Sequence, residues 1–293
     1  MFGPSMGFTR CCQDRSTRAR IGSGPGGSIR PVTPLPAQSQ SYYEPRGQGR
    51  YQPTVHATGA WNSGEQHMAP VAGLLTHAIQ THAPRQDLVL SRVSFDILGV
   101  MPAIELEVHA RTVRRGQTIE LIESEMVCDG RTVASARGWR LLTSDTSAIA
   151  GSPTHTIDGP EQAQPWPGSD LWAGGYIRSL EFRRLPGHQA GRGRTWIRSK
   201  LDLIDGIPTT DLERIMTLTD TANGVSTRVP PHTYAFPNTD LSVHLFRQPV
   251  GEWLGLETDV SFGGGGVGLT AACLHDVAGP IGRSAQILTL RSR

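Results

Sequence analysis

The same order of elements occurs twice along this chain, and that duplication limits the possible folds more than any other feature. In the first half, Val71, Leu74, Leu75, Ala78 and Ile79 form an apolar stripe. Its i, i+3, i+4, i+7, i+8 spacing predicts a helix over about 70–82. A strand over 49–57 precedes it. Four strand-like runs follow at 93–97, 104–113, 119–127 and 133–141, with the alternation expected of strands that have one buried face. Arg114–Gln117 reads as a turn, and Asp129-Gly130 as a two-residue hairpin turn. In the second half, strand-like 176–184 and 195–203 lead to a helix over 211–222. Leu212, Ile215, Met216 and Leu218 are its apolar residues, and Thr209 or Thr210 is placed to cap it. Strands over 241–245, 253–262, 267–274 and 281–290 complete the pattern, with Ala278-Gly279 as the last turn.

Overlaying the halves puts Val93–Ile97 on Leu241–Leu245 at an offset of 148. After one extra residue the offset is read as 149, which sets Gly130 on Gly279 and Ser135-Ala136 on Ser284-Ala285. The expectation is an α+β fold made of two copies of one helix and an antiparallel meander. Residues 144–170, rich in Ser, Thr, Gly and Pro, read as the linker between copies.

The 293 residues suit roughly two ordinary domains, and 37% hydrophobic content is enough for a packed core. No run approaches the roughly 18 apolar residues of a membrane-spanning helix. The net charge of +2 is uneven: residues 1–40 hold five Arg against Asp14 alone, which puts +4 in the tail and −2 in the remainder. A nucleic-acid-binding body is therefore not expected. The Gly-, Pro-, Ser- and Arg-rich segment 1–40 is read as a disordered tail. It lacks the apolar core of a secretory signal, so a cytoplasmic protein is expected. A mis-assigned start codon and a targeting role both stay open for it. Cys11, Cys12, Cys128 and Cys273 form no C-x-x-C pair and no ligand spacing with His. Cys128 and Cys273 read as small buried residues, and neither metal nor cofactor is expected.

Several phrases then resemble a known family. They are Trp61–His67, Asn223-Gly224-Val225-Ser226, the run from Asn238-Thr239-Asp240 to Arg247, Pro249–Leu256 and Gly279–Gln286. Together they are similar to the thioesterase-like family related to acyl-CoA thioesterase II. That resemblance implies a double hotdog over about 41–293, each copy a long helix wrapped by a curved antiparallel sheet. Residues 41–143 would be the N-terminal hotdog and 171–293 the C-terminal one. It also implies hydrolysis of acyl-CoA to free acid and CoA without a cofactor. The family's Asp, hydroxyl residue and Gln fall on Asp240 as general base, Ser261 and Gln286, whose counterparts by the offsets above are Arg92, Thr112 and Arg137. Only the second copy would then carry the site.

For the oxyanion, the resemblance points to the helix start at His67, Met68 and Ala69, ahead of Pro70. Relatives commonly have a Gly pair where Met68-Ala69 stands. His67 either orients substrate or caps the helix. An alternative on the same fold is an acyl-CoA- or lipid-binding protein with little turnover. The Asp/His pair of a hydratase is missing. No G-x-S-x-G elbow occurs, which excludes an α/β-hydrolase. Gly263–Gly266 has no Lys-Ser/Thr after it and reads as a hairpin loop. Since the body is negative, CoA phosphates need a local arginine cluster, with Arg178, Arg183, Arg184 and Arg192 as candidates against ordinary surface arginines. Trp166, Trp172 and Trp253 read as packing residues. The exposed sheet of such a fold favours a homo-oligomer.

Overall fold

The computed structural model describes residues 35–293, and its longest helix, α1 (Met68–Thr81), is the one the first apolar stripe predicts. The helix starts three residues before the stripe because the His67 ring caps it: His67 Nδ1 accepts from Ala69 N at 3.1 Å. It stops where Ala83 takes a positive φ of 42° ahead of Pro84. Val71, Leu74, Leu75 and Ile79 are fully buried, each worth about 1.5–3 kcal/mol relative to exposure.

Strands β1 (Ser41–Gly47) and β2 (Arg50–Pro53) precede α1. After it come β3 (Leu88–Ile97), β4 (Leu106–Arg114), β5 (Ile119–Cys128) and β6 (Arg131–Leu142). Asp129 and Gly130 both have positive φ, 47° and 74°, as the tight β5–β6 turn requires. The second half begins with β7 (Gln164–Pro165), the single turn α2 (Gly175–Arg178), β8 (Leu180–Arg184), β9 (Arg192–Ser199) and β10 (Asp202–Ile204). Helices α3 (Asp211–Thr219) and α4 (Ala222–Val225) follow, then β11 (Tyr234–Ala235) and β12 (Asp240–Leu245). The chain closes with β13 (Leu254–Phe262), β14 (Val267–Asp276), β15 (Gly279–Thr289) and β16 (Arg291–Ser292).

Fourteen of these strands make one open sheet in the order β10-β1-β2-β4-β5-β6-β3-β12-β15-β14-β13-β9-β8-β7, while β11 and β16 pair separately. At its centre β3 and β12 run antiparallel with Ser94 opposite Ser242. Outward from that pair the order is β6-β5-β4-β2 on one side and β15-β14-β13-β9 on the other. Helices α1 and α3 pack on the inner face and against each other, where Gly73 leaves room for Thr217.

The pairing corrects the expected offset of 149. Phe95 faces Ala136 and Val243 faces Ser284, so the strands beyond the turn also correspond at 148. A one-residue slip would turn every inward side chain outward. The counterpart of Gln286 is therefore Gly138, not Arg137. A Cβ on Gly138 would lie 2.7 Å from Leu90 Cδ1 and 3.0 Å from Ile79 Cγ2, so the core of the first half already fills that space.

Four other expectations shift. The second helix ends at Thr219, not Ala222, because threonine hydroxyls bond back to its carbonyls and tighten the last turn. Thr217 Oγ1 donates to Glu213 O at 2.7 Å, Thr219 Oγ1 to Ile215 O at 2.8 Å, and Thr221 Oγ1 to Leu218 O. Its start is a capping box: Glu213 N donates to Thr210 Oγ1 at 3.2 Å, and Thr210 N to Glu213 Oε2 at 2.8 Å. The run 176–184 opens as α2, because Gly175 N is drawn to Thr58 Oγ1 at 2.8 Å, and becomes strand only at Leu180. The run 49–57 is strand only to Pro53 and ends in a 3-10 turn, Val55–Ala57. Segment 144–170 is packed down only from Ile157 on, its first part being exposed: Ile157 and Ala163 are buried with Leu185 and Trp196, and Trp196 Nε1 donates to Asp158 O at 2.7 Å.

The disorder expected of 1–40 falls, up to residue 34, outside the described residues. Residues 35–40 are anchored, with Val55 N donating to Pro36 O and Asp202 N to Gln40 O, both at 3.1 Å. Among the described residues no helix is long and apolar enough to cross a membrane.

Candidate active site

Leu212, Met216 and Asp220 succeed one another at i, i+4, i+8, so the buried stripe of α3 ends in a carboxylate. Asp220 is the C-cap residue in the break between α3 and α4 and is only 3% exposed. A carboxylate without partners is costly there. Two amides meet it: Asn238 Nδ2 and Gln286 Nε2 each donate to Asp220 Oδ1 at 2.8 Å. Gln286 points inward from β15 opposite Thr270, and its Oε1 is buried without a partner among the described residues. Asn238, just ahead of β12, is steadied by a second bond to Asp240 O at 3.0 Å.

The other oxygen, Asp220 Oδ2, lies 3.5 Å from His67 Nδ1. Despite the distance this is no ion pair. His67 Nδ1 already accepts the Ala69 N–H, and burial pulls the imidazole down to about 3. Burial pushes Asp220 the other way, up to about 6, against the opposing pull of Asn238 and Gln286. The ring is thus neutral whenever the carboxylate is charged. Oδ2 faces a lone pair and no cation, which leaves it the oxygen able to take up a proton. Stacking on Tyr176, with ring centroids 4.3 Å apart, holds the imidazole in place.

Asp220, Asn238, His67 and Met68 line a cleft of about 350 Å³. Leu98, Val100 and Arg291 also line it, and Leu98 and Val100 are exposed. Beside it, sharing Trp61 and His67, is a small cavity walled by Trp166, Trp172 and Phe182. The Arg293 guanidinium lies 4.8 Å over the Trp61 ring. Buried carboxylate, oriented amides and an aromatic-walled recess give a site suited to proton abstraction from water beside an apolar group.

The residues expected together do not all meet. Asp240 Oδ1 accepts from Ile287 N at 2.7 Å, and Ser261 is exposed opposite Leu269. Side chains alternate along a strand. Ile287 and Leu269 point outward while their neighbours Gln286 and Thr270 are buried, so Asp240 and Ser261 lie on the face away from Gln286. That corrects the joint Asp240–Ser261–Gln286 site. At the α1 start, the Ala69 N–H is occupied by His67 and Pro70 has none, which leaves Met68 N–H as the donor available to an oxyanion. His67 both caps α1 and adjoins Asp220.

Of the arginines expected near phosphates, Arg183 and Arg192 are held by Glu181 at 2.7 Å and Asp259 at 3.4 Å. Arg184 lies 3.3 Å over Trp166, and neither these three nor Arg178 lines the cleft. Sequence reasoning missed Asp220 and gave Asn238 no role. The available signal was an acid at i+4 from Met216 on an otherwise apolar stripe.

A family model described as the acyl-CoA thioesterase C-terminal domain matches residues 160–290, and one described as the acyl-CoA thioesterase N-terminal domain matches residues 57–141. Among solved structures, the chain is similar to a conserved protein of unknown function with a hotdog fold from Alicyclobacillus acidocaldarius, with TM-score 0.69, 12% identity and coverage of 87% of this chain and 97% of that one. It is also similar to the TesB protein of Mycobacterium avium subspecies paratuberculosis, with TM-score 0.61, 15% identity and coverage of 85% and 95%. For acyl-CoA thioesterase II TesB2 from Mycobacterium marinum the values are 0.59, 14%, 86% and 96%. These likenesses establish the hotdog fold. Among curated proteins, none matches the chain significantly by sequence.

Proposed function

The chain belongs to the thioesterase-like hotdog family, and we propose that it hydrolyses acyl-CoA thioesters to free acid and CoA with Asp220 as general base. The carrying observation is the asymmetry of that carboxylate, which lines the cleft: Oδ1 is held by two amides, while Oδ2 has no donor among the described residues. A water bonded to Oδ2 would give up a proton as its oxygen attacks the thioester carbonyl. Negative charge then develops on the carbonyl oxygen, within the reach of Met68 N–H at the positive end of α1. When the C–S bond breaks, the proton on Asp220 passes to the departing sulfur, which restores the carboxylate. We read the halves as two hotdog units, 41–143 and 171–293, joined by 144–170, with the reacting groups in the second and the oxyanion donor from the first.

Because the base must be ionised, kcat/KM should fall tenfold per pH unit below the Asp220 value of about 6 and level off above it. A pH–rate profile flat down to about pH 4 would remove Asp220 from the role.

Arg291 at the cleft and Arg293 over Trp61 are the cations placed to meet CoA phosphates. Arg291→Ala should raise KM about tenfold, the value of one charge-assisted hydrogen bond, with kcat little changed. Steady-state kinetics at low and high salt tests this: an unchanged KM, or a fall in kcat alone, contradicts it. A chain that bound acyl-CoA tightly and turned over none would favour the binding-protein reading, which the single oxyanion donor at Met68 also suits.

A further inference from the structure

On the outer face of the sheet, remote in topology from Asp220, β13 and β14 bring three ligand-type side chains together. Glu257 and Cys273 are direct cross-strand partners, and His275 stands two residues beyond Cys273 at a register shift. Their donor atoms all lie within 4.8 Å of one another. His275 is fully buried, and neither ring nitrogen has a hydrogen-bond partner among the described residues. An imidazole is a strong donor and acceptor, and the interior seldom leaves both nitrogens unmet without a reason. Among the described residues the cysteine has only a weak contact, Cys273 Sγ to Gly282 O at 3.8 Å. A fourth candidate arrives from the exposed first part of the connecting segment: His155 Nε2 is 3.5 Å from Glu257 Oε1.

We propose that Glu257, Cys273, His275 and His155 form a binding site for a divalent transition-metal ion of the zinc class. One thiolate, one carboxylate and two imidazoles are a borderline-soft set that suits tetrahedral zinc, and one thiolate plus one carboxylate balance the ion's two charges. Bond lengths of about 2.0–2.3 Å put tetrahedral ligand atoms about 3.5 Å apart, so the cluster needs to contract by about an ångström. Three ligands sit on rigid strands. The fourth is on segment 144–170 and is exposed, so it is free to swing in. His155, Glu257 and Cys273 line an open cleft of about 460 Å³, which gives the ion a way in. Among the other charged groups on that side, Arg192 is paired with Asp259 and Arg247 with Asp276, while Arg283 opposes Cys273. The ion would pin the connecting segment to the sheet. Its ligands come from two strands and a loop, which is why no ligand spacing is visible in the sequence.

The test is cobalt(II) titration of the full chain after chelator treatment, read by absorption, with zinc displacement as the second readout. One equivalent should bind, with a thiolate-to-cobalt charge-transfer band and tetrahedral d–d bands that zinc abolishes. Cys273→Ser should remove the charge-transfer band, whereas Cys128→Ser and the paired Cys11→Ser/Cys12→Ser variant should keep it. His155→Ala, an exposed change that spares the fold, should weaken binding at least about tenfold, as expected for loss of one ligand. Less than a tenth of an equivalent bound by the wild type overturns the proposal. So does a charge-transfer band that survives Cys273→Ser, or one lost only in the Cys11/Cys12 variant. If Cys273→Ser fails to fold, the His155→Ala affinity decides: wild-type affinity there overturns the site.

Discussion

Asp220→Asn should lower kcat/KM by about 10²–10⁴, the usual contribution of a positioned general base, and should raise the melting temperature at pH 8. The second effect follows from the first residue's environment. Burial lifts Asp220 from its ordinary 3.8 to about 6, so the fold favours the protonated acid. That stabilisation is fully present below about pH 4 and is lost as pH rises through about 6. At pH 8 the wild type carries an ionised group that folding disfavours by roughly 3 kcal/mol. Asparagine is neutral at every pH and is spared this term. The gain in melting temperature should therefore be several degrees at pH 8 and shrink towards zero at about pH 4. Asp240→Asn is the control: its carboxylate accepts a strand N–H on the outer face, so its turnover should stay within about threefold of wild type. Thermal melts across pH together with acyl-CoA hydrolysis assays read both effects. Retained turnover in Asp220→Asn would sink the mechanism, and a lower melting temperature at pH 8 would refute the claimed burial of the charged form.

How far the site was legible from the sequence depends on what each residue's neighbours reveal. The apolar stripe from Val71 to Ile79 and the alternation at Val93–Ile97 and Leu241–Leu245 are local patterns, and they locate α1, β3 and β12 to within a few residues. Gln286 was legible too, because an amide in an otherwise apolar strand needs buried partners. Asp220 was not. It caps a helix whose last turn is tied by the Thr217, Thr219 and Thr221 hydroxyls, and its partners Asn238 and Gln286 are 18 and 66 residues away. Asp240 attracted the assignment because it lies in a motif only two residues from Asn238. Strand parity decides between such neighbours: one residue along a strand reverses the face. Parity also moves the repeat counterpart of Gln286 from Arg137 to Gly138. The first half then lacks the amide because Ile79 and Leu90 occupy its place.

The same correspondence makes Leu288 the counterpart of Arg140, and there the first half is the one with a buried charge. Arg140 is 4% exposed, and its guanidinium donates to carbonyls at the end of α1: to His82 O at 2.7 Å, Ala83 O at 3.2 Å, Gln80 O at 3.3 Å, and Ile79 O. Helix ends leave carbonyls without intrahelical partners. Here one planar fork from β6 serves several of them, a geometry lysine cannot reproduce. Glu120, also buried, lies 3.6 Å from Arg140 and 3.3 Å from Arg85. Arg140→Met keeps most of the volume but strips the carbonyls of their donor and Glu120 of one counter-charge. Removing one member of such a set costs about 3–5 kcal/mol, which for a chain of this size corresponds to a melting temperature lower by about 10 °C. Arg140→Lys should fall between, since a point charge meets fewer carbonyls. Adding Glu120→Gln to Arg140→Met should recover part of the loss, because Glu120 has then lost one of its two arginine partners. The reacting groups sit at the other end of α1, about 20 Å away at 1.5 Å per residue, so kcat well below the melting temperature should change little. Denaturant and thermal melts of the three variants give the answer: a melting temperature for Arg140→Met within about 2 °C of wild type would show that water, not Arg140, satisfies the end of α1.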